Sequence, residues 1–200
     1  MAWEFLNIIG TIAFAISGAI VAMEEECDLF GVYLLGMVTA FGGGAVRNLL
    51  IGLPPTTLWN QELLFQIAFG AITLFFLMPN HLFKQWSSWG QVTDAVGLSA
   101  FAIQGAIYAV SLGLPIEAVI GAAVLTGTGG GMIRDVLARR KPMIVHEEVY
   151  AVWAAGAGFL IGLDFINGDF FYYTLFIIIV ILRVLSYTRG WRLPVRSFKK

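Results

Sequence analysis

The sequence has few charged residues and no long polar stretch. Of its 200 residues, 12% are charged and 58% are hydrophobic, and the mean hydropathy is +0.82. Soluble globular proteins have roughly 25% charged residues and about 45–50% apolar residues. The composition therefore excludes an ordinary soluble domain, and with it a soluble catalytic domain. It indicates a protein that lies in a lipid bilayer.

Cysteine is also scarce, because Cys27 is the only one in the chain. A single cysteine excludes an intramolecular disulfide and a cysteine-based metal site. The two histidines, His81 and His146, have no second ligand at metal-binding spacing. The glycine-rich segment 127–131 lacks the lysine that follows in a nucleotide-binding P-loop. We therefore expect no cofactor, no metal centre and no enzymatic activity.

Apolar windows of membrane-spanning length occupy nearly the whole chain. A helix needs about 20 residues to cross the hydrocarbon core of a bilayer. Seven windows approach or exceed this length, at residues 3–23, 29–50, 58–78, 91–112, 116–137, 147–166 and 170–187. The first window has no basic residues before it and no cleavage site after it, so we expect a retained span rather than a signal peptide. The sequence predicts an all-α integral membrane protein with seven transmembrane helices.

The basic residues predict the orientation of these helices. Those outside the windows lie in segments 79–90 and 138–146 and in the C-terminal tail, namely Lys84, Arg139, Arg140, Lys141, Arg189, Arg192, Arg196, Lys199 and Lys200. The loops on the opposite side have no lysine or arginine. Since basic loops face the cytoplasm, we expect an external N-terminus and a cytoplasmic C-terminus. The acidic residues 24–28 then lie at the inner surface, either as a solvated loop or as a vestibule that gathers cations.

The chain contains an internal repeat. A shift of 87 positions aligns Gly10 with Gly97, residues 42–44 with 129–131, Arg47 with Arg134, Leu50 with Leu137, and Pro55 with Pro142. Each copy contains three spans, an odd number, so the second copy must enter the membrane in the inverted orientation. We expect a first repeat at 1–87, an inverted second repeat at 88–168, and a seventh helix with a basic tail at 169–200, all in one membrane domain.

A triple glycine lies inside the second window and again inside the fifth. Three glycines cost a helix about 1 kcal/mol each relative to alanine, so we expect both helices to be broken there. Carbonyls freed in a membrane are tolerated where they line a water-filled cavity, which predicts a shared pathway, while the alternative is close helix packing through small residues. The candidate pathway and gate residues are Thr39, Gly42, Gly43, Gly44, Arg47, Asn48, Thr126, Thr128, Gly129, Gly130, Gly131, Arg134 and Asp135.

Each glycine run is followed three residues later by an arginine, Arg47 or Arg134. A buried arginine is costly and therefore a functional candidate, although snorkelling to the membrane surface is the alternative. Because sequence neighbours on a helix do not face each other, we expect Asp135 to pair across helices or face the pathway rather than bond Arg134. Asp94, near the start of the fourth window, is expected to be a first-turn acid at a helix N-terminus.

The duplicated motifs at 42–48 and 129–135, together with the related segments 13–16 and 100–103, resemble the prokaryotic members of the trimeric intracellular cation (TRIC) channel family. The resemblance covers essentially the whole chain. It implies a homotrimer in a prokaryotic inner membrane, with one potassium-selective pore per subunit through kinked second and fifth helices. Membrane lipid and potassium ions are then the partners, with no nucleic acid.

The same duplicated unit has also been called a glycine transporter domain. The alternative function is therefore a secondary transporter of a small zwitterion such as glycine, with an arginine that holds its carboxylate. Hydroxyls, carboxylates and arginines in broken helices suit either function, and the family resemblance favours the channel.

Overall fold

The structure is a computed structural model that describes residues 1–79, 86–146, 149–165 and 167–194. These residues form α-helices and one 3-10 helix, and they contain no strand. The all-helical class predicted from the sequence is therefore confirmed. Lys84, His81 and the tail residues Arg196, Lys199 and Lys200 lie outside the described residues.

The described helices follow the predicted windows closely. Their bounds are α1 Ala2–Glu24, α2 Leu29–Leu50, α3 Glu62–Phe76, α4 Trp86–Ser111, α5 Ile116–Leu137, α6 Met143–His146, α7 Tyr150–Gly162 and α8 Asp169–Arg189, with the 3-10 helix at Pro55–Asn60. Among the described residues, five helices are long and apolar enough to cross a membrane, namely α1, α2, α4, α5 and α8. Helices α3 and α7 are apolar but have 15 and 13 residues. The exact number of spans stays a prediction.

Local signals in the sequence set the helix ends. Asp28 precedes α2, and its carboxylate accepts a hydrogen bond of 2.8 Å from the Gly31 amide, which satisfies one of the free amides of the first turn. Pro115 precedes α5, where its missing N–H costs no hydrogen bond. Gly190 ends α8 in the left-handed conformation that glycine adopts without steric cost.

Four helices, α1, α2, α4 and α5, pack against one another at the centre of the molecule. Helix α3 packs on α1 and α2, while α7 contacts α4 and α5 and α8 contacts α4 and α7. The crossings of the central helices occur at glycines. Gly18 of α1 lies against the carbonyl of Leu35 in α2, and Gly105 of α4 lies against the carbonyl of Ala122 in α5. The two contacts are related by the shift of 87 positions.

Helices α2 and α5 cross at their glycine runs, and the contact is reciprocal. A Cβ at Gly43 would collide with the carbonyl oxygen of Thr126, and a Cβ at Gly130 would collide with that of Thr39. A two-fold relation between the repeats generates such a pair of contacts. The contacts support the predicted repeat, while its axis and its boundaries stay predictions.

The expected break at the glycines is absent, because α2 and α5 both continue as α-helix through their glycine runs, while the expected kink stays a prediction. The alternative reading of the glycines, close packing through small residues, agrees with the structure. Removing the Cβ atoms lets two backbones touch, and the gain in packing offsets the low helix propensity of glycine. The glycine carbonyls consequently stay within the helical hydrogen-bond pattern.

We predict that Gly43→Ala and Gly130→Ala destabilise the protein by about 1–3 kcal/mol or more, because each added methyl collides with a carbonyl of the facing helix. Gly121→Ala, on α5 where nothing lies within 4 Å of the added carbon, is the matched control. It should be neutral or stabilising by up to about 1 kcal/mol through helix propensity. Thermal unfolding in detergent measures the difference, and equal behaviour of the three variants would contradict the packing role.

Candidate ion pathway and its buried charges

The centre of the candidate site is the Arg134 cluster, which consists of Arg134, Asp94, Asp135 and Ser17. The Arg134 guanidinium donates hydrogen bonds of 2.9 Å to Asp94 of α4, 2.8 Å to Asp135 of α5 and 2.7 Å to the hydroxyl of Ser17 in α1. Arg134 is 1% exposed and Asp94 is fully buried. Burying a charge is costly unless it is paired and hydrogen-bonded, and here two carboxylates face one guanidinium.

Two predictions about these carboxylates are wrong. Asp94 is not a first-turn acid, since α4 already runs from Trp86, more than two turns before it. Asp135 does bond its neighbour Arg134, since Nη2 and Nε both lie 2.8 Å from Oδ1. The spacing rule describes the directions of Cβ atoms, and the flexible stem of arginine lets its guanidinium fold back to the next residue.

Gly131 lies next to the cluster, where a side chain would crowd its polar groups. A Cβ at Gly131 would lie 3.2 Å from the hydroxyl of Tyr150 and 3.6 Å from both Arg134 and Asp94. The second carboxylate oxygen of Asp135 accepts a hydrogen bond of 3.1 Å from the amide of Met143 at the start of α6. The cluster therefore joins α1, α4, α5 and α6.

A cavity of about 410 Å³ opens beside the cluster, and we call it the Arg134 cavity. Its walls include Ser17, Ile20, Val21, Glu24, Gly90, Gln91, Arg134, Asp135, Arg140, Lys141 and Met143. At its rim, Arg140 donates hydrogen bonds of 2.7 Å to Glu24 and 2.6 Å to Glu25. Partial burial lowers the pKa of Arg140, but these two bonds outweigh the burial and hold the pKa above its ordinary value. The acidic loop after α1 is thus partly neutralised rather than a free cation trap.

The second arginine, Arg47, lies at the other cavity of the crossing. It is 8% exposed, donates hydrogen bonds of 3.1 and 2.9 Å to the side-chain oxygen of Asn48, and lies over the ring of Tyr108 at 4.6 Å. The amide nitrogen of Asn48 donates to Thr57 at 2.9 Å. A cavity of about 40 Å³, the Arg47 cavity, is lined by Trp3, Asn7, Thr11, Ala40, Phe41, Gly44, Arg47, Leu58, Gln61, Phe101, Gln104 and Thr126.

The two arginine sites share a scaffold but differ in charge. A shift of 87 positions relates Arg47 and Asn48 to Arg134 and Asp135, and it relates Asn7, Gly44 and Gln104 to Asp94, Gly131 and Ser17. Both carboxylates of the Arg134 cluster therefore have neutral amides as counterparts at Arg47. The site is symmetric in shape and asymmetric in electrostatics.

Of the remaining predicted residues, Gly44 and Thr126 line the Arg47 cavity. Thr39, Thr126 and Thr128 are buried, and each hydroxyl donates to the carbonyl four residues earlier in its own helix. Gly42 faces Ile133, while Gly129 approaches the Cα of Gly43. The structure therefore places the arginines and Asp135 at cavities and most of the glycines at the helix contact.

Sequence reasoning missed Ser17, Tyr150 and Arg183 and misplaced Asp94. Arg183 of α8 is 1% exposed and stacks over the ring of Tyr150 at 4.6 Å. The signal for Asp94 was present, since it is the only acid in its window and an acid inside a span is a functional candidate by default. Nothing in the sequence pattern singles out Ser17.

Fold and site together define a multi-pass helical membrane protein with buried charges between two cavities. The family model described as glycine transporter matches residues 4–80 and 91–163, two segments whose starts the shift of 87 positions superposes. The UPF0126 membrane protein YvgT of Bacillus subtilis is 60% identical over 199 residues, covering 100% of this chain and 98% of the relative. The UPF0126 inner membrane protein YadS of Escherichia coli K12 is 37% identical over 74% of this chain and 71% of its own.

Solved structures of TRIC channels are similar to this chain over nearly its whole length. A TRIC cation channel solved to explain conductance superposes with a TM-score of 0.85 at 37% identity, over 100% of both chains. A prokaryotic TRIC channel in 0.5 M KCl gives 0.86 at 35% identity, over 96% of this chain and 98% of that one. The orthologue from Rhodobacter sphaeroides gives 0.85 at 30% identity, over 94% and 98%. The chain belongs to the TRIC channel family, whose duplicated unit the family model describes as a glycine transporter.

We predict that Asp94→Asn destabilises the protein by about 1–3 kcal/mol, because it weakens a buried charged hydrogen bond to Arg134 while Asp135 remains as counter-charge. The control is Glu117→Gln, an exposed acid in the first turn of α5, which should change the unfolding free energy by less than about 1 kcal/mol. The two variants are compared by unfolding each in detergent and measuring the decrease of its folded peak on size exclusion. Equal, small effects would show that Asp94 is not a required counter-charge.

Proposed function

We propose that this chain forms a monovalent cation channel, selective for potassium, with one pore per subunit between α2 and α5. The observation that carries the proposal is the placement of the Arg134 cluster at the inner end of the α2–α5 crossing, with a cavity on each side of that crossing. The likeness to TRIC cation channels supports the cation as substrate. Those neighbours are channels rather than enzymes, which also supports a role without catalysis.

The charges of the Arg134 cavity suit a cation that passes and is not held. Within the Arg134 cluster, the two carboxylates of Asp94 and Asp135 face the single charge of Arg134, whereas Arg140 and Lys141 add positive charge to the wall of the cavity. Carboxylates and hydroxyls are the groups from which cation pathways are built. Arg134 acts as the gate in this proposal, because its fixed charge occupies the carboxylates that a cation needs.

The crossing itself must open for conduction. The backbones of α2 and α5 touch at Gly43 and Gly130, so the described conformation is closed between the two cavities. Opening therefore requires the two helices to separate or to slide. Contacts between glycine surfaces suit such a motion, because at Gly43 and Gly130 backbone meets backbone and no side chain has to be displaced.

The assembly and orientation follow from the same proposal. Likeness to trimeric channels supports a homotrimer in the bacterial inner membrane. The pattern of basic loops supports an external N-terminus and a cytoplasmic C-terminus, with the Arg134 cavity on the cytoplasmic side. The reciprocal contacts of α2 and α5 support repeats related by a two-fold axis in the membrane plane.

A second candidate function is secondary transport of a small zwitterion such as glycine. It is favoured by the description of the matching family model and by Arg47, a buried cation that has no carboxylate partner among the described residues. In this scheme an arginine holds the substrate carboxylate and the repeats rock between two open states. In a transporter the arginine therefore increases the affinity for the substrate, whereas in a channel its positive charge repels the permeating cations.

We predict that Arg134→Gln raises potassium flux into liposomes if Arg134 is the gate of a channel, because the carboxylates are then free for the ion. The same change should slow uptake of radiolabelled glycine if the protein is a transporter. Arg139→Gln, an exposed arginine at the same end of α5, is the control and should alter neither flux.

Because Arg134→Gln leaves two buried carboxylates without their cation, the double variant Arg134→Gln with Asp94→Asn keeps the test open if the single variant unfolds. Unchanged potassium and glycine flux in a folded variant would rule out a gating role for Arg134.

The orientation is testable with the single native cysteine. Cys27 is half-buried in the loop between α1 and α2, which we place in the cytoplasm. A membrane-impermeant maleimide should label it in inverted vesicles and not in intact cells. The control is Cys27→Ser with Asn167→Cys, which places a thiol in the exposed α7–α8 connection and should reverse the pattern. Labelling of Cys27 from outside intact cells would invert the proposed topology.

A further inference from the structure

Arg47 is a buried guanidinium that has no counter-charge within the described part of the chain. Its contacts are the side-chain oxygen of Asn48 and the ring of Tyr108, and no carboxylate of the described residues pairs with it. Its equivalent Arg134 is also buried and has two carboxylates within 2.9 Å. A buried charge is costly unless it is paired, so the two equivalent sites differ by a missing anion.

The space for an anion is present beside Arg47. The Arg47 cavity of about 40 Å³ holds roughly two or three water molecules, which is enough for one chloride-sized ion with a water. The hydroxyl of Thr11 is 1% exposed, lines this cavity and has no hydrogen-bond partner among the described residues. The amide side chains of Asn7 and Gln61 also line it and add donors, and Gln104 lines it while its amide nitrogen donates to the carbonyl of Trp3 at 3.1 Å.

The equivalence of the repeats shows why this cavity favours an anion. Asn7 and Asn48 stand where Asp94 and Asp135 stand in the other repeat, so each carboxylate is replaced by a neutral amide of similar shape. An amide offers donors that a carboxylate lacks, and it does not repel an anion. One positive charge, an unpartnered hydroxyl and three amides therefore converge on a cavity of the size of a small ion.

We propose that the Arg47 cavity binds one small monovalent anionic group, either a free chloride ion or the carboxylate of a small solute. The bound group completes the coordination of Arg47 and the unpartnered hydroxyl of Thr11. It also neutralises the positive charge at this cavity, so that the arginine no longer repels cations that approach the crossing of α2 and α5. A chloride ion in this cavity is independent of the proposed channel function, whereas a bound carboxylate would rest on the second candidate function, and the test measures binding rather than flux.

The test is thermal unfolding of the purified protein in detergent with potassium gluconate, whose anion is too large for the cavity. Replacing gluconate by chloride at constant ionic strength should raise the apparent Tm along a saturable curve, because a ligand that binds the folded state stabilises it. Glycine and acetate, added in separate series, show whether a carboxylate is preferred. A saturable rise with chloride assigns a free ion, and one with the carboxylates alone assigns a solute.

Two variants assign the effect to this cavity. Arg47→Gln should weaken the apparent affinity by about tenfold or more, since it removes a charged donor. Thr11→Val keeps the charge and shape and should weaken it less, which preserves the test if Arg47→Gln does not fold. Arg189→Gln, an exposed arginine at the end of α8, should bind as the unaltered protein does.

Crystals soaked in bromide would locate the bound anion directly, and we expect an anomalous peak beside the Arg47 guanidinium. The proposal is overturned if no anion gives a saturable rise in Tm, or if Arg47→Gln and Thr11→Val both retain the full rise.

Discussion

The contact between the backbones of α2 and α5 is the constraint on which the rest of the molecule depends. Because Gly43 and Gly130 have no side chains, each helix approaches the other until its surface meets a carbonyl oxygen. That approach sets the positions of Arg47 and Arg134, one turn further along the two helices. It also closes the centre of the molecule, so the space for water and ions is divided into two cavities. A larger residue at either glycine would change the packing, the positions of the charges and the closure together.

On this symmetric frame the two halves carry different electrostatics. At one end, Asp94 and Asp135 surround a guanidinium, and at the other, amides occupy the equivalent positions around Arg47. Duplication explains the shared geometry, since a repeated segment folds in the same way twice. The exchange of Asp for Asn keeps the shape and changes the charge, so the two cavities differ in electrostatics. The proposed cation pathway and the proposed anion site both rest on that asymmetry.

Much of the fold is predictable from the sequence, because hydrophobic length and the repeat are properties of the chain itself. The windows lie within a few residues of α1, α2, α5 and α8, and the shift of 87 positions relates contacts in the structure. The break at the glycines was wrong, because helix propensity describes an isolated helix and takes no account of the packing that a missing Cβ permits. Asp94 was misplaced because the window began at Gln91, whereas α4 includes Trp86. Its pairing with Arg134 is a tertiary contact, which no local pattern encodes.

The Arg134 cluster also explains how a closed pathway can open without a large electrostatic cost. A guanidinium that leaves Asp94 and Asp135 exposes two carboxylates, which is unfavourable in a buried site. Under the proposed channel function, a potassium ion that enters the Arg134 cavity takes its place beside the same oxygens, so the local charge is conserved while one cation replaces another. The amide of Met143 donates to Asp135 and holds that carboxylate in position, while Ser17 accepts a hydrogen bond from Arg134. In the proposed channel, the same carboxylates thus pair with Arg134 in the closed state and with the ion in the conducting state, which would account for an arginine in a pathway for cations.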